Sequence, residues 1–327
     1  MIKVGLTYDL KSEYLKMGFS EEETAEFDKE DTIEGIESTL EELGYKTERI
    51  GNIKQLAVSL VEGKKWDIVF NICEGMYGIG REAQVPALLD AYNIPYVFSN
   101  PLVLSLTLDK AMTKRVIRDF GLATPDFAVV NKPEDSKNVK IPLPLFAKPL
   151  GEGTGKGIDG RSVINTYDQL YNVCNDLLVR FGQAVLVEKF LSGREFTVGI
   201  VGTGENAKVV GSMEIILNED AEKNVYSYTN KSEYEKLVEY KNVKEDIVKQ
   251  SENLALAAWK ALGCEDGGRI DIRCNDNGLP NFIEVNPLAG LNPIHSDLPI
   301  LSRLNGISYK ELLSMIMDSA IKKLKSN

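Results

Sequence analysis

Only one histidine, His295, occurs in the 327 residues. A histidine-rich metal site is therefore excluded, and a histidine-based catalytic triad would have to rest on that single residue. Cys73, Cys174, Cys264 and Cys274 contain no CxxC pair, so neither a zinc cluster nor a dithiol motif is encoded. Free thiols in a reducing compartment are expected instead. No apolar run is long enough to span a bilayer, and no charged-then-apolar leader precedes the first strand. A cytoplasmic protein with no membrane partner is expected. A basic excess is also missing: 38 Lys and Arg face 49 Asp and Glu, for a net charge of −11. That argues against nucleic-acid binding through a basic surface, and an anionic ligand would need local cations or a metal. Repeats and low-complexity tracts are absent.

What is present is alternation of strands and helices. Strands are expected at 2–6, 47–50, 67–71 and 94–98. Helices are expected at 32–43, 53–62 and 81–92, the first carrying Ile33, Ile36, Leu40 and Leu43 at helical spacing. This pattern predicts an open, mostly parallel α/β sheet as an N-terminal domain, 1–100. Two α+β subdomains, 101–184 and 185–327, are expected to follow. Residues 7–30 read as a long loop or irregular helix. Residues 217–242, acidic and tyrosine-rich, read as a lid or linker. Helices are expected at 109–120, 167–181, 251–262 and 308–325.

The chain is organised around 268–296. Arg269-Ile270-Asp271-Ile272-Arg273 alternates with the strand period, Asn275 to Gly278 is a turn, and Phe282 to Asn286 returns. Asp271, Glu284 and Asn286 then supply three hard oxygen ligands on one face, a set that suits Mg²⁺ (or Mn²⁺), with Arg269 beside them for phosphate charge. An ordinary charged surface hairpin has the same pattern. Upstream, Leu145–Pro149 is a strand carrying Lys148, followed by the glycine-rich 151–158. Its amides could form an anion nest, although it is neither a Walker A loop nor a dinucleotide fingerprint. A simple hairpin remains open there. Glu188 and Glu195 flank a turn at 191–194, either as acceptors for an adenosine or as solvated strand ends. Glu74-Gly75 and Arg81 lie at the carboxyl end of a strand, where α/β sheets bind ligands, or form a plain turn.

The order of these parts is more specific than any one of them. A lysine after the first domain, a strand lysine, a glycine-rich loop, Glu-Lys-Phe-Leu-Ser-Gly-x-Glu, and an Arg-x-Asp strand answered by Glu-x-Asn resemble the ATP-grasp superfamily. The pattern is most similar to D-alanine–D-alanine ligases, from 94 onward and more loosely before it. The resemblance implies that Lys110 and Lys148 hold the nucleotide phosphates. It implies that Glu188 and Glu195 accept from the adenine and ribose, with Phe190, Leu191 and Ile283 around the base. Residues 152–158 correspond to the loop that closes over the phosphates, including Glu152, Gly153 and Gly155, with Thr154 at the family's serine. Asp271, Glu284 and Asn286 correspond to magnesium ligands, and Arg269 to the arginine that stabilises the intermediate. Gly290, Leu291 and Ser296 correspond to the stretch that binds the donor amino acid. A homodimer through the first domain is also implied.

Three departures concern the amino-acid half. The family's Gly-Gly-x-Ser-x-Glu is absent, leaving Asp9 or Glu13 in its place. Glu74-Gly75 replaces His-Gly, and the lid keeps Lys231 but has Ser232 where the ligases carry tyrosine. The expected activity is an ATP- and Mg²⁺-dependent carboxylate–amine ligase acting on small amino acid or peptide substrates. The alternatives are a ligase of the same mechanism for other amino acids or peptides, and a non-catalytic ATP-binding protein.

Overall fold

The computed structural model describes residues 1–219, 221, 230 and 233–325. In chain order the elements are β1 (Lys3–Tyr8), α1 (Lys11–Lys16), α2 (Glu30–Glu42), β2 (Lys46–Gly51), α3 (Ile53–Val61) and β3 (Ile68–Ile72). Next come α4 (Gln84–Ala91), β4 (Tyr96–Val97), α5 (Pro101–Leu108), α6 (Lys110–Asp119), β5 (Phe127–Val130), β6 (Leu145–Pro149), β7 (Val163–Ile164), α7 (Tyr167–Phe181) and β8 (Val185–Lys189). The rest is β9 (Glu195–Val201), β10 (Lys208–Leu217), α8 (Tyr234–Leu237), β11 (Val238–Lys241), α9 (Asp246–Leu262), β12 (Gly267–Cys274), β13 (Pro280–Asn286), α10 (Asp297–Leu304) and α11 (Tyr309–Ala320).

Three sheets organise the chain. The first is parallel, in the order β2-β1-β3-β4. Its inner strands are buried, β3 along its whole length and β1 from Val4 to Thr7, as strands covered on both faces must be, whereas the edge strand β2 is polar and buries only Ile50 and Gly51. The second, β5-β8-β6-β7, and the third, β11-β10-β9-β12-β13, are antiparallel. An α/β unit followed by two α+β units is thus the observed architecture. The boundary expected at 184/185 separates β8 from the sheet to which it belongs, because β8 pairs between β5 and β6.

Local rules set many element ends. Thr166 and Gln169 form a capping box on α7, and Gly182, at φ 61°, closes it. Asn100 caps α5 with Pro101 in its first turn. That helix was not anticipated, since Leu-Val-Leu-Ser-Leu-Thr-Leu has no helical period to read. The expected irregular stretch 217–242 is partly ordered. Val238 to Lys241 pairs with Glu214 to Leu217, alternating buried Val238 with exposed neighbours. β5 and α10 were likewise missed, and helix 308–325 ends as α11 at Ala320 with a short 3₁₀ turn beyond it.

Two cores matter for the site. The largest joins Val4, Leu6 and Phe70 of the parallel sheet to Leu298 of α10 and Leu312 and Ile316 of α11, so the C-terminal helices pack on the N-terminal unit. Asp266, fully buried, ties the same joint. Its carboxylate accepts from the Phe98 amide (2.8 Å), Ser319 Oγ (2.9 Å) and Lys323 Nζ (2.7 Å). The second core carries Phe196, Trp259, Ile270 and Phe282 beneath the third sheet. All four cysteines are buried free thiols. No helix among the described residues is long and apolar enough to cross a membrane.

Candidate active site

Five buried or half-buried charges alternate in sign through the cleft between the second and third sheets. Lys114 Nζ, with its side chain wholly buried, lies 2.6 Å from Glu188 Oε1. The other Glu188 oxygen lies 3.3 Å from Lys148 Nζ, which is 3.5 Å from Glu284 Oε2. Lys110 Nζ stands 3.8 Å beyond that oxygen and also donates to the Glu152 carbonyl at 2.5 Å. Strand pairing sets the spacing, since β6 and β8 run antiparallel with Phe146 opposite Glu188. Lys110 and Lys114 are one helical turn apart on α6 and so point the same way.

The electrostatics follow from burial and these pairings. Burial pulls Lys110 and Lys114 below the usual lysine range, with only partial recovery from Glu284 and Glu188 respectively. Burial acts on Lys148 too, but Glu188 and Glu284 on either side hold it above that range. Burial would raise Glu188, yet Lys114 and Lys148 hold it below the carboxylate range. The cleft therefore keeps a fixed cation, Lys148, between two carboxylates.

The hairpin β12–β13 supplies the other wall. Asp271 pairs opposite Glu284, and Arg269 opposite Asn286. Thr197 Oγ1 donates to Asp271 at 2.9 Å, and the Asn286 amide lies 3.3 Å from its other oxygen. Arg269 Nε is 3.5 Å from Asp297. A narrow cavity of about 90 Å³ is lined by Lys110, Lys148, Glu152, Gly155, Glu188, Phe190, Leu191, Glu195, Asp271, Ile283 and Glu284. Phe146 and Phe190 stack at 6.4 Å, Arg273 lies 5.3 Å over the Phe190 ring, and Arg273 Nη1 reaches Glu195 at 3.2 Å.

The glycine-rich loop covers this cleft. Thr154, Gly155 and Gly157 all have positive φ (53°, 73° and 73°). Gly157 has no substitute, since a Cβ there would lie 2.6 Å from Pro149. Lys156 is buried between Glu152 (2.8 Å) and Glu26 (3.2 Å).

Of the amino-acid residues, Thr154, Arg269 and Gly290 line two adjoining cavities, with Ser296 on one and Glu74 on the other. Burial and the neighbouring Glu82 and Glu26 push the Glu74 carboxyl well above its usual range. Asp9 and Leu291 turn to structural work. Asp9, 2 % exposed, accepts from the Tyr14 hydroxyl (2.5 Å) and the Gly75 amide (2.9 Å). Leu291 is in the main core, and its carbonyl accepts from Tyr309. Ser296 Oγ accepts from the Asn292 amide at 2.9 Å. Lys231 and Ser232 lie outside the described residues. Sequence reasoning missed Glu26, Lys114, Lys156, Glu82 and Arg273. Only Lys114, one turn from Lys110, and Arg273, in step with Arg269 and Asp271, had a local signal.

Asp28 lines the cavity that also holds Arg269 and Ser296, and burial lifts its carboxyl to about 7, with Thr32 opposing and Asp9 and Asp31 adding. A raised carboxyl stabilises the fold fully at low pH and loses that contribution as pH climbs through about 7. Asp28→Asn is therefore expected to match the parent near pH 4 and exceed it by about 4 kcal/mol at pH 8, read from urea midpoints. Equal midpoints at both pH values would remove Asp28 from that role.

Comparison with known proteins fits this geometry. Residues 116–318 match the family described as D-ala D-ala ligase C-terminus. D-alanine–D-alanine ligase of Bordetella avium is 32 % identical over 82 % of this chain and 83 % of its own. That of Aquifex aeolicus is 32 % identical over 88 % and 93 %. The structure of the Bacillus anthracis D-alanine–D-alanine ligase complexed with ATP superposes with a TM-score of 0.76 at 23 % identity, covering 100 % of this chain and 99 % of that one. The fold is shared end to end and the sequence likeness spans both halves of the cleft, so this chain belongs to the D-alanine–D-alanine ligase family.

Proposed function

We propose that the protein is an ATP-dependent ligase that joins the carboxylate of one amino acid to the amine of another through an acylphosphate. The observation that carries this reading is the alternating row Lys114–Glu188–Lys148–Glu284–Lys110 beneath the glycine-rich loop. It supplies phosphate cations that are fixed before any ligand arrives, which is how electrostatic catalysis avoids reorganisation at the moment of reaction.

In this reading Lys148 and Lys110 hold the phosphates. Lys114 acts on Glu188 and keeps it anionic and in place. The stacked Phe190 and Phe146, with Ile283 and Leu191, take the base, and Glu195, positioned by Arg273, takes the ribose. Asp271, Glu284 and Asn286 fit Mg²⁺ or Mn²⁺: they are all hard donors on one strand pair, few enough to leave positions for phosphate oxygens. When bound, that ion supplies charge neutralisation along the phosphates. The first carboxylate attacks the γ-phosphorus and ADP leaves. The second amine then attacks the acyl carbon and phosphate leaves. Arg269 and the Gly290 backbone face the oxyanion between these events, and Thr154 stands at the mouth of the loop that excludes water. Lys231 and the first-domain dimer belong to the same reading.

A second reading, a ligase for other amino acids or peptides, is favoured by one feature. The amino-acid end of the cleft is lined by Glu26, Glu74 and Glu82, and Glu82 is lifted by burial to about 7. Phosphate release from ATP and Mg²⁺, measured across D- and L-amino acids and their pairs, separates the possibilities. A dominant signal with D-alanine, and D-Ala-D-Ala by mass, supports the standard substrates. Another pair makes Glu74 and its neighbours the specificity residues. ATP binding without any release leaves a nucleotide-binding protein. Chelation with EDTA is expected to abolish the signal and Mg²⁺ or Mn²⁺ to restore it. Undiminished release in EDTA would defeat the metal assignment.

A further inference from the structure

We propose that Glu26 is a positioning residue that latches the glycine-rich loop shut and couples that closure to the wall of the amino-acid cavity. This inference rests on the ligase reading above. The Glu26 side chain is 9 % exposed and lies between two elements far away in sequence. Its carboxylate accepts from the Gly153 amide at 2.7 Å and from Lys156 Nζ at 3.2 Å, both in the loop. It also accepts from Arg81 Nη2 at 3.1 Å, and the same guanidinium donates through Nη1 to the Gly151 carbonyl at 3.0 Å. Three points on the loop are thus held by one carboxylate and one arginine of the N-terminal unit.

The fit is specific to these residues. A Cβ at position 153 would lie 2.5 Å from Glu26 Oε1, so a side chain there would push the carboxylate back from that amide. Charge is retained despite burial, because Arg81 and Lys156 together outweigh the desolvation that would otherwise neutralise Glu26. The neighbours Ala25, Phe27 and Asp28 line the cavity that also contains Arg269 and Ser296. A segment that touches the loop with one side chain and that cavity with the residues on either side of it can transmit occupancy of one to the other. The physical basis is a charge-assisted contact made in the closed arrangement and lost in an open one.

Glu26→Gln keeps the shape and removes the charge. Amide exchange of 152–157 in the full chain, with ATP and Mg²⁺ bound, is expected to accelerate at least tenfold. The KM for ATP should rise about tenfold with a smaller change in kcat. Phosphate released per peptide bond formed should climb above one, as the acylphosphate meets water. Lys156→Met removes the same contact from the loop side and should reproduce all three, and the double variant should be no worse than either single one. A residue with a merely structural role would lower the melting temperature and leave the exchange of 152–157 and the phosphate-to-product ratio unchanged. That result in a folded Glu26→Gln protein, or in Lys156→Met if the first does not fold, overturns the proposal. The exchange measurement needs no turnover. If the parent releases no phosphate with any amino acid, the ligase reading fails while the latch is still decided.

Discussion

Glu284→Gln is expected to lower phosphate release by about 10³-fold or more, roughly 4 kcal/mol of transition-state stabilisation. Glu284 lies between two buried lysines, 3.5 Å from Lys148 and 3.8 Å from Lys110, and it faces Asp271 across the hairpin. The amide keeps the volume and the strand pairing but removes the negative charge that a cation at Asp271 and Asn286 would need. Both lysines would then face each other with less between them, so ATP affinity is also expected to change. The fold should survive, because the side chain is at the rim of the cleft and 21 % exposed. Circular dichroism and a melting temperature close to the parent would confirm that. Phosphate release within tenfold of the parent would remove Glu284 from the catalytic machinery.

Asp266→Ala is the complementary case, in which the fold fails and the chemistry is untouched locally. Truncation strands the buried Phe98 amide and leaves the Ser319 hydroxyl with only Thr203 at 3.4 Å, while Lys323 keeps Glu265 at 2.7 Å and the Phe98 carbonyl at 2.8 Å. Removing one partner of a buried charged network typically costs about 3–5 kcal/mol where the remaining groups have neither water nor a partner, and the contacts that Lys323 keeps put this case at the lower end. The expected result is a urea midpoint lowered by an amount equivalent to about 3 kcal/mol. Asp266→Asn keeps an acceptor for the amide and hydroxyl, loses only the charge toward Lys323, and should recover about half. A midpoint for Asp266→Ala within 0.5 kcal/mol or so of the parent would show that the joint is held by the apolar core alone.

Most of the β12–β13 hairpin was legible in sequence because its information is local. Arg269, Asp271 and Arg273 occupy alternate positions of one strand, and Glu284 and Asn286 alternate positions of the next. A two-residue period and a turn between them therefore suffice to place them on one face. Helix α7 is legible for the same reason, from its capping box to its terminal glycine. Elements without a period escaped: α5 is apolar all round, and β5 is four residues long.

The roles of single charges were decided elsewhere. Glu188 reads as a strand-end acceptor until Lys114, 74 positions earlier, is brought to 2.6 Å from it. Asp9 reads as a substrate ligand until Tyr14 and Gly75 take its oxygens. Glu26 is one acid among many in a polar stretch until the loop folds onto it, more than a hundred residues later. The sequence by itself determined the alternation of strands and helices, the glycine-rich loop and the order of the cleft residues, since these depend on neighbours a few positions away. Which carboxylate meets which cation depends on chain segments distant in sequence packing together, at separations where no periodicity carries information. Tertiary structure alone decided that.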